Sequence, residues 1–352
     1  MDLSELDYDL PSELIAQTPA SSRDASRLLV VDRARGGCED HVFAELPDLL
    51  RPGDCLVVNS SRVIPARVLA RDAGGRPVEL LFVEPIDPRR WRALVRPGRR
   101  CRAGVELMVD GAPESELRIV SVAADGSRVV ERLDDTIEDL MRERGLPPLP
   151  PYIRRFAAPT AEDRERYQTV YARAPGSIAA PTAGLHFTEK LLEQIRSRGV
   201  RICFVTLHIG LGTFAPVKAG TLEEHVMHEE RFEISAPTAQ AIHHTRQAGR
   251  RVIAVGTTTV RVLESVAAAN QGRLVECQGR TRIFIHPPHL FHVADALLTN
   301  FHLPRSTLLM LVSAFAAPGQ TRGRELILSA YAEAIRERYR FYSYGDAMLI
   351  LP

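Results

Sequence analysis

With 352 residues, 45% of them apolar and 25% charged, the chain has the make-up of a folded soluble protein whose core divides in two, and no run approaches the ~20 apolar residues of a membrane-spanning helix. A net charge of +1 excludes a global positive field, so any contact with nucleic acid rests on local patches. Five scattered cysteines (Cys38, Cys55, Cys101, Cys203, Cys277) argue against a disulfide framework or a thiolate zinc site, and Met-Asp-Leu-Ser-Glu at the start carries no secretory signal, so a cytoplasmic location is expected.

In chain order, Ser12 to Gln17 predicts a short helix, Leu28 to Asp32 a strand, and Cys55 to Asn59 an apolar strand after the turn Pro52-Gly53-Asp54. From about Val68 to Leu133 short apolar runs (78–83, 91–95, 105–109, 117–122, 128–133) alternate with Gly, Pro and Asp turns, the rhythm of a barrel or sandwich. An amphipathic helix over 137–144 and the stiff Leu146-Pro-Pro-Leu-Pro-Pro151 close that stretch. Beyond it, helices are predicted at 161–171, 189–198, 238–248, 260–270 and 323–340, and strands at 200–207, 231–234, 251–255, 281–285 and 347–351. Such alternation implies a layered α/β domain with a substantially parallel sheet. The expected fold class is therefore α/β: a main domain, discontinuous over residues 1–66 and 152–352, carrying an inserted all-β, barrel-like domain over residues 67–151.

Five segments carry candidate chemistry. Gly176-Ser-Ile-Ala-Ala-Pro-Thr-Ala-Gly-Leu-His-Phe-Thr188 offers Thr182, Gly184 and His186 in a small-residue loop before a helix capped by Thr188; the alternative is a tight loop with a core histidine. Leu207-His-Ile-Gly-Leu-Gly-Thr-Phe214 brings His208, Gly210, Gly212 and Thr213, for substrate contact or else hydrogen-bonded packing. Ala254-Val-Gly-Thr-Thr-Thr-Val-Arg261 runs from an apolar strand into a helix opened by Thr257, Thr258 and Thr259, the layout of an anion site, or else a threonine-rich cap; neither a dinucleotide nor a P-loop fingerprint is present. Leu298 to Thr307 gathers Asn300, His302, Arg305 and Ser306 in what reads as one loop before an apolar helix. Arg89 to Arg102 places seven arginines around Trp91, a nucleic-acid patch or a solvated face. Arginine rather than lysine matters here, because its fork matches a phosphate with two parallel hydrogen bonds.

Together these segments resemble the S-adenosylmethionine:tRNA ribosyltransferase-isomerase family of the queuosine pathway. The resemblance runs from end to end, through Tyr8 to Gln17, Arg23 to Leu29, Arg62-Val-Ile-Pro-Ala-Arg67, Pro150 to Arg154, Tyr167 to Tyr171, Ala179 to Thr188, Thr299 to Pro304 and Tyr339 to Met348. It departs at Asn59-Ser-Ser-Arg62 and at Ile285-His-Pro-Pro-His-Leu-Phe291, while Asp295 sits where the family has an aspartate. The resemblance implies an enzyme that uses S-adenosylmethionine as a consumed ribosyl donor, with no tightly bound cofactor and no metal. Its partner would be tRNA carrying 7-aminomethyl-7-deazaguanine at the wobble position, its products epoxyqueuosine-tRNA, adenine and methionine, and its state a monomer.

The donor's sulfonium acidifies the adjacent C5′ protons, so a base with a pKa near neutrality is needed; His186, His208 and His302 are the candidates. Thr182 and Thr257 to Thr259 would serve the methionine carboxylate and the departing adenine. Arg62, Arg154 and Arg155 would serve tRNA phosphates or that carboxylate. Two other classes compete. A metal-dependent hydrolase would use His225, His228 and Glu229, three apart and adjacent, although H-E-x-x-H is absent; a non-catalytic RNA-binding protein would use the arginine-rich insert alone.

Overall fold

The computed structural model describes residues 3–155, 159–210 and 227–352. The chain divides into two compact units, one of residues 1–62, 151–154 and 168–352, the other of residues 63–150 and 155–167; residues 155–167, expected in the α/β portion, belong to the second.

The first unit is built on a nine-stranded sheet in the order 277–281, 230–234, 201–207, 55–59, 252–255, 296–300, 347–351, 27–32, 37–42. Its centre is parallel: Val57 lies between Cys203 and Ala254, and Ala254 lies beside Leu297. The strand Ala347–Leu351 runs against Ala296–Asn300 and with Arg27–Asp32, so the sheet is mixed, with antiparallel edges. Central strands read as unbroken apolar runs because both faces are covered. Side chains alternate between them: Cys55 and Val57 enter a core with the helices 236–247, 257–269, 307–316 and 323–336, while Leu56 and Val58 enter a second core with the helices 46–49 and 189–197.

Several elements differ from expectation, each for a physical reason. The strand expected over 281–285 lies at Cys277–Thr281. Ile283, Phe284 and Ile285 pack on the core without joining a ladder, whereas the edge strand itself is polar because only its backbone is needed. Residues 298–300, read as loop, belong to the fully buried strand Ala296–Asn300; Thr299 and Asn300 hid its apolar pattern. The helix expected to reach residue 340 stops at Arg336, and Arg338 turns back with φ 56°.

The second unit contains a closed six-stranded antiparallel barrel in the order 128–132, 90–96, 77–85, 67–72, 106–109, 112–122. Alternate residues Val68, Leu80, Phe82, Ala93, Leu107, Leu117 and Val130 fill it. Trp91 is only 4% exposed and stands edge-on to Phe82, so it is barrel core and offers no stacking platform between the arginines. Arg90, Arg92 and Arg96 lie across from Glu131, Glu84 and Glu79, which breaks the expected basic patch into mixed charges. Arg155 gives Nε and Nη2 to the buried Asp163 at 2.9 and 2.6 Å, a commitment at the start of the helix Ala161–Arg166 rather than an open phosphate contact.

Candidate active site

The four central parallel strands, 201–207, 55–59, 252–255 and 296–300, end at one edge of the main sheet, the edge where open α/β sheets place ligands. Asn59 ties that edge together. Its Nδ2 donates to the Leu207 carbonyl at 3.0 Å and to Thr258 Oγ1 at 3.2 Å, and its Oδ1 accepts the N–H groups of Leu207 and Ser61 at 3.0 and 3.1 Å. One buried carboxamide thus joins the ends of the strands 55–59 and 201–207 to the start of the helix Thr257–Ala269. That helix opens after Gly256, whose φ of 85° favours a residue without Cβ. Thr259 returns its hydroxyl to the Val255 carbonyl at 2.7 Å, while the amides of Thr257 and Thr258 have no acceptor among the described residues.

The 176–188 segment meets the same edge. A Cβ built on Gly256 would lie 3.7 Å from the Ala183 Cβ, in ordinary contact. Gly184 is a packing requirement, since a Cβ there would fall 2.0 Å from the Tyr171 hydroxyl. Thr182 opens the short turn Thr182–Gly184, and Thr188 caps the helix Glu189–Ser197 by accepting the Leu191 N–H at 3.1 Å, as its position predicts.

The three histidines have different environments. His186 is 4% exposed and stacks on Phe43, with ring centroids 4.9 Å apart. Asn300 Nδ2 donates to its Nε2 at 3.3 Å and to the Tyr342 carbonyl at 3.2 Å, so Nδ1 carries the proton and donates to Ser26 Oγ at 2.7 Å. Burial, helped by Arg340 and Arg23, pushes its pKa down to about 3. His302 is likewise pushed down to about 3 by burial; Nε2 meets Thr299 Oγ1 at 3.4 Å, and its backbone N–H donates to the Tyr331 hydroxyl at 3.0 Å. His208 is different. It is half-buried just past the strand 201–207, its ring rests on Gly176, and burial followed by Arg231 lowers its pKa. Among the described residues its Nδ1 is unpaired, as are Asn300 Oδ1 and His302 Nδ1.

A family model described as "Queuosine biosynthesis protein" matches residues 3–350. The chain belongs to that family. Relatives named S-adenosylmethionine:tRNA ribosyltransferase-isomerase align along whole lengths: the Thermotoga petrophila protein is 48% identical over 353 residues, covering 100% of both chains. That of Anaeromyxobacter sp. (strain K) is 50% identical over 356 residues, covering 100% of this chain and 99% of its own. The crystal structure of S-adenosylmethionine tRNA ribosyltransferase from Thermotoga maritima, 38% identical, covers 99% of this chain and 100% of its own with a TM-score of 0.55.

In this family member the candidates His186, Asn300, His208 and Thr257 to Thr259 gather at one sheet edge, where the sequence did not single out Ser26, Asn59 or Arg261. Glu230 and Arg261 pair while Glu230 also accepts the Gly210 N–H at 2.9 Å, a contact between distant segments that no local motif announces. Arg62 and Arg154 are exposed. Arg305 pairs with Asp7, and Ser306 caps the helix Thr307–Ala316, so both have structural roles. Gly212, Thr213 and His225 lie outside the described residues. Glu229 is held by Arg280 and Arg282 at 3.1 and 3.3 Å, and among the described residues no three His, Cys, Asp or Glu side chains converge on a metal position. Among those residues no helix is long and apolar enough to cross a membrane.

Proposed function

We propose that this chain is a cytoplasmic, monomeric S-adenosylmethionine:tRNA ribosyltransferase-isomerase. It moves the ribosyl part of S-adenosylmethionine onto 7-aminomethyl-7-deazaguanine at the tRNA wobble position, forms epoxyqueuosine and releases adenine and methionine. The observation that carries this reading is the sheet edge, where a half-buried histidine, unpaired amides and a fixed carboxamide stand together in a chain that aligns end to end with enzymes of that name.

His208 is the general base of this reading. Its lowered pKa keeps it neutral at pH 7, and its half-buried ring takes a C5′ proton from the sulfonium donor once the donor displaces the contacts that close off the unpaired Nδ1. His186 and His302 are positioning residues: His186 holds the Asn300 carboxamide so that Oδ1 presents an acceptor to a donor hydroxyl or amine. The free amides of Thr257 and Thr258, with Thr182, supply donors to the departing adenine, and Gly210 lets the substrate approach the backbone. Arg62 and Arg154, exposed, contact tRNA phosphates.

The test is to combine the protein with S-adenosylmethionine and tRNA bearing aminomethyl-deazaguanine. Free adenine and methionine are expected in equal amounts, one per modified tRNA. Binding of tRNA with no adenine released would return the chain to the class of RNA-binding proteins.

A further inference from the structure

Arg261 occupies the second turn of the helix Thr257–Ala269, its side chain only 9% exposed. Nη1 donates to Glu230 Oε2, while Glu230 Oε1 is held by the Gly210 N–H. The other two guanidinium nitrogens, Nε and Nη2, are closed to solvent and have no acceptor among the described residues. Buried donors left unpaired are costly, and the two other buried arginines, Arg132 and Arg251, pair theirs; of the half-buried ones, Arg67 leaves its buried Nε without a partner among the described residues. Arg251 gives Nε and Nη2 to Asp54 and the Leu49 carbonyl; Arg132 gives all three nitrogens to Asp134, Ser115 and the Thr136 carbonyl.

Nε and Nη2 form one flat edge of the guanidinium fork, the geometry that takes both oxygens of a carboxylate in parallel. Glu230 grips the fork at Nη1 and leaves that edge whole. We propose that the Nε–Nη2 edge of Arg261 receives the α-carboxylate of the methionine part of the donor, with Glu230 as the positioning residue that aims it. The assignment rests on the reading of this chain as an S-adenosylmethionine-consuming enzyme. The edge is closed to solvent, which favours a small amino-acid moiety over a phosphate carried on a wide RNA backbone.

The test compares S-adenosylmethionine with its decarboxylated analogue, by calorimetric binding and by adenine release with substrate tRNA. Wild-type protein prefers the carboxylated donor by on the order of 100-fold, as two charge-assisted hydrogen bonds imply. Arg261→Gln reduces the preference to about threefold or less by weakening only the carboxylated donor. Arg261→Lys, which keeps the charge and loses the fork, falls between, and Glu230→Gln, which keeps the edge, retains a preference of at least about tenfold. Equal affinity of wild-type protein for both donors, or an undiminished preference in Arg261→Lys or Arg261→Gln, overturns the assignment. Loss of tRNA affinity with donor preference intact assigns the edge to RNA phosphate instead and overturns it as well. Should wild-type protein release no adenine, the reading of the reaction fails, and the binding arm still decides the role of Arg261.

Discussion

Two edges of one sheet treat buried polar groups in opposite ways. At the amino ends of the central strands, Asp54 accepts from Arg251 and from the Arg51 N–H, and Asp295 accepts the Val252 N–H at 2.8 Å. Those charges complete one another and tie neighbouring strands. At the carboxyl ends, Asn300 Oδ1, His208 Nδ1, His302 Nδ1 and the Nε–Nη2 edge of Arg261 stay unmatched among the described residues. The polar burial beside the strand starts is paired within the chain, whereas that at the strand ends leaves valence over for a ligand. The contrast separates residues whose loss should unfold the protein from residues whose loss should silence it.

The sharpest way to break that contrast is His208→Ala. Single-turnover adenine release should fall by about 10²–10⁴-fold, with an unchanged melting temperature. In wild-type protein the rate should rise with pH through a midpoint below the ordinary histidine value, the direction in which burial and Arg231 move His208, and the variant should lose that limb. A wild-type rate in the variant removes His208 from the chemistry. At the opposite edge, Asp54→Ala strands the Arg251 guanidinium and should cost about 3–5 kcal/mol in denaturant unfolding, while activity per folded molecule stays unchanged. If activity collapsed and stability held, the division between the edges would be wrong.

A third measurement sharpens the picture with the smallest effect. His186 and His302 have folded pKa values of about 3, well below the unfolded value. Between about pH 6.5 and 3 the unfolded chain therefore binds more protons than the folded one. Their contribution is whole above pH 6.5 and is lost as pH falls, at up to about 1.4 kcal/mol per pH unit for each histidine. Acid unfolding of a His302→Asn variant that folds should be less steep over that window; equal steepness would mean that His302 is already protonated in the fold.

The architecture was legible where its code is local. Apolar runs bounded by turns marked Cys55–Asn59 and the barrel strands, and Thr188 read correctly as a cap. The strand ending in Asn300 was not, because a site residue interrupts its apolar pattern. His186, His208 and Asn300 were found through their segments, yet the sequence could not rank the histidines: what distinguishes His208 is burial, a tertiary quantity. Asn59, Glu230 and Arg261 act through partners tens to hundreds of positions away, and composition does not encode such pairings. Trp91 misled for the related reason that alternation on a strand, not proximity to arginines, decides which way an indole points.

The strand Cys55–Asn59 hydrogen-bonds only to strands that begin at residues 201 and 252, and Arg27–Asp32 leans on the final strand, Ala347–Leu351. On the ribosome, then, the strand 55–59 emerges before either of its neighbours and the hairpin 27–42 before its parallel partner, whereas the barrel strands lie within residues 67–132 and can close while translation continues. The nascent chain carries the first apolar ribbon until residues 201–207 and 252–255 are made and the second until its last codons are read, so a stall or truncation near the C-terminus would leave Arg27–Asp32 without its parallel partner.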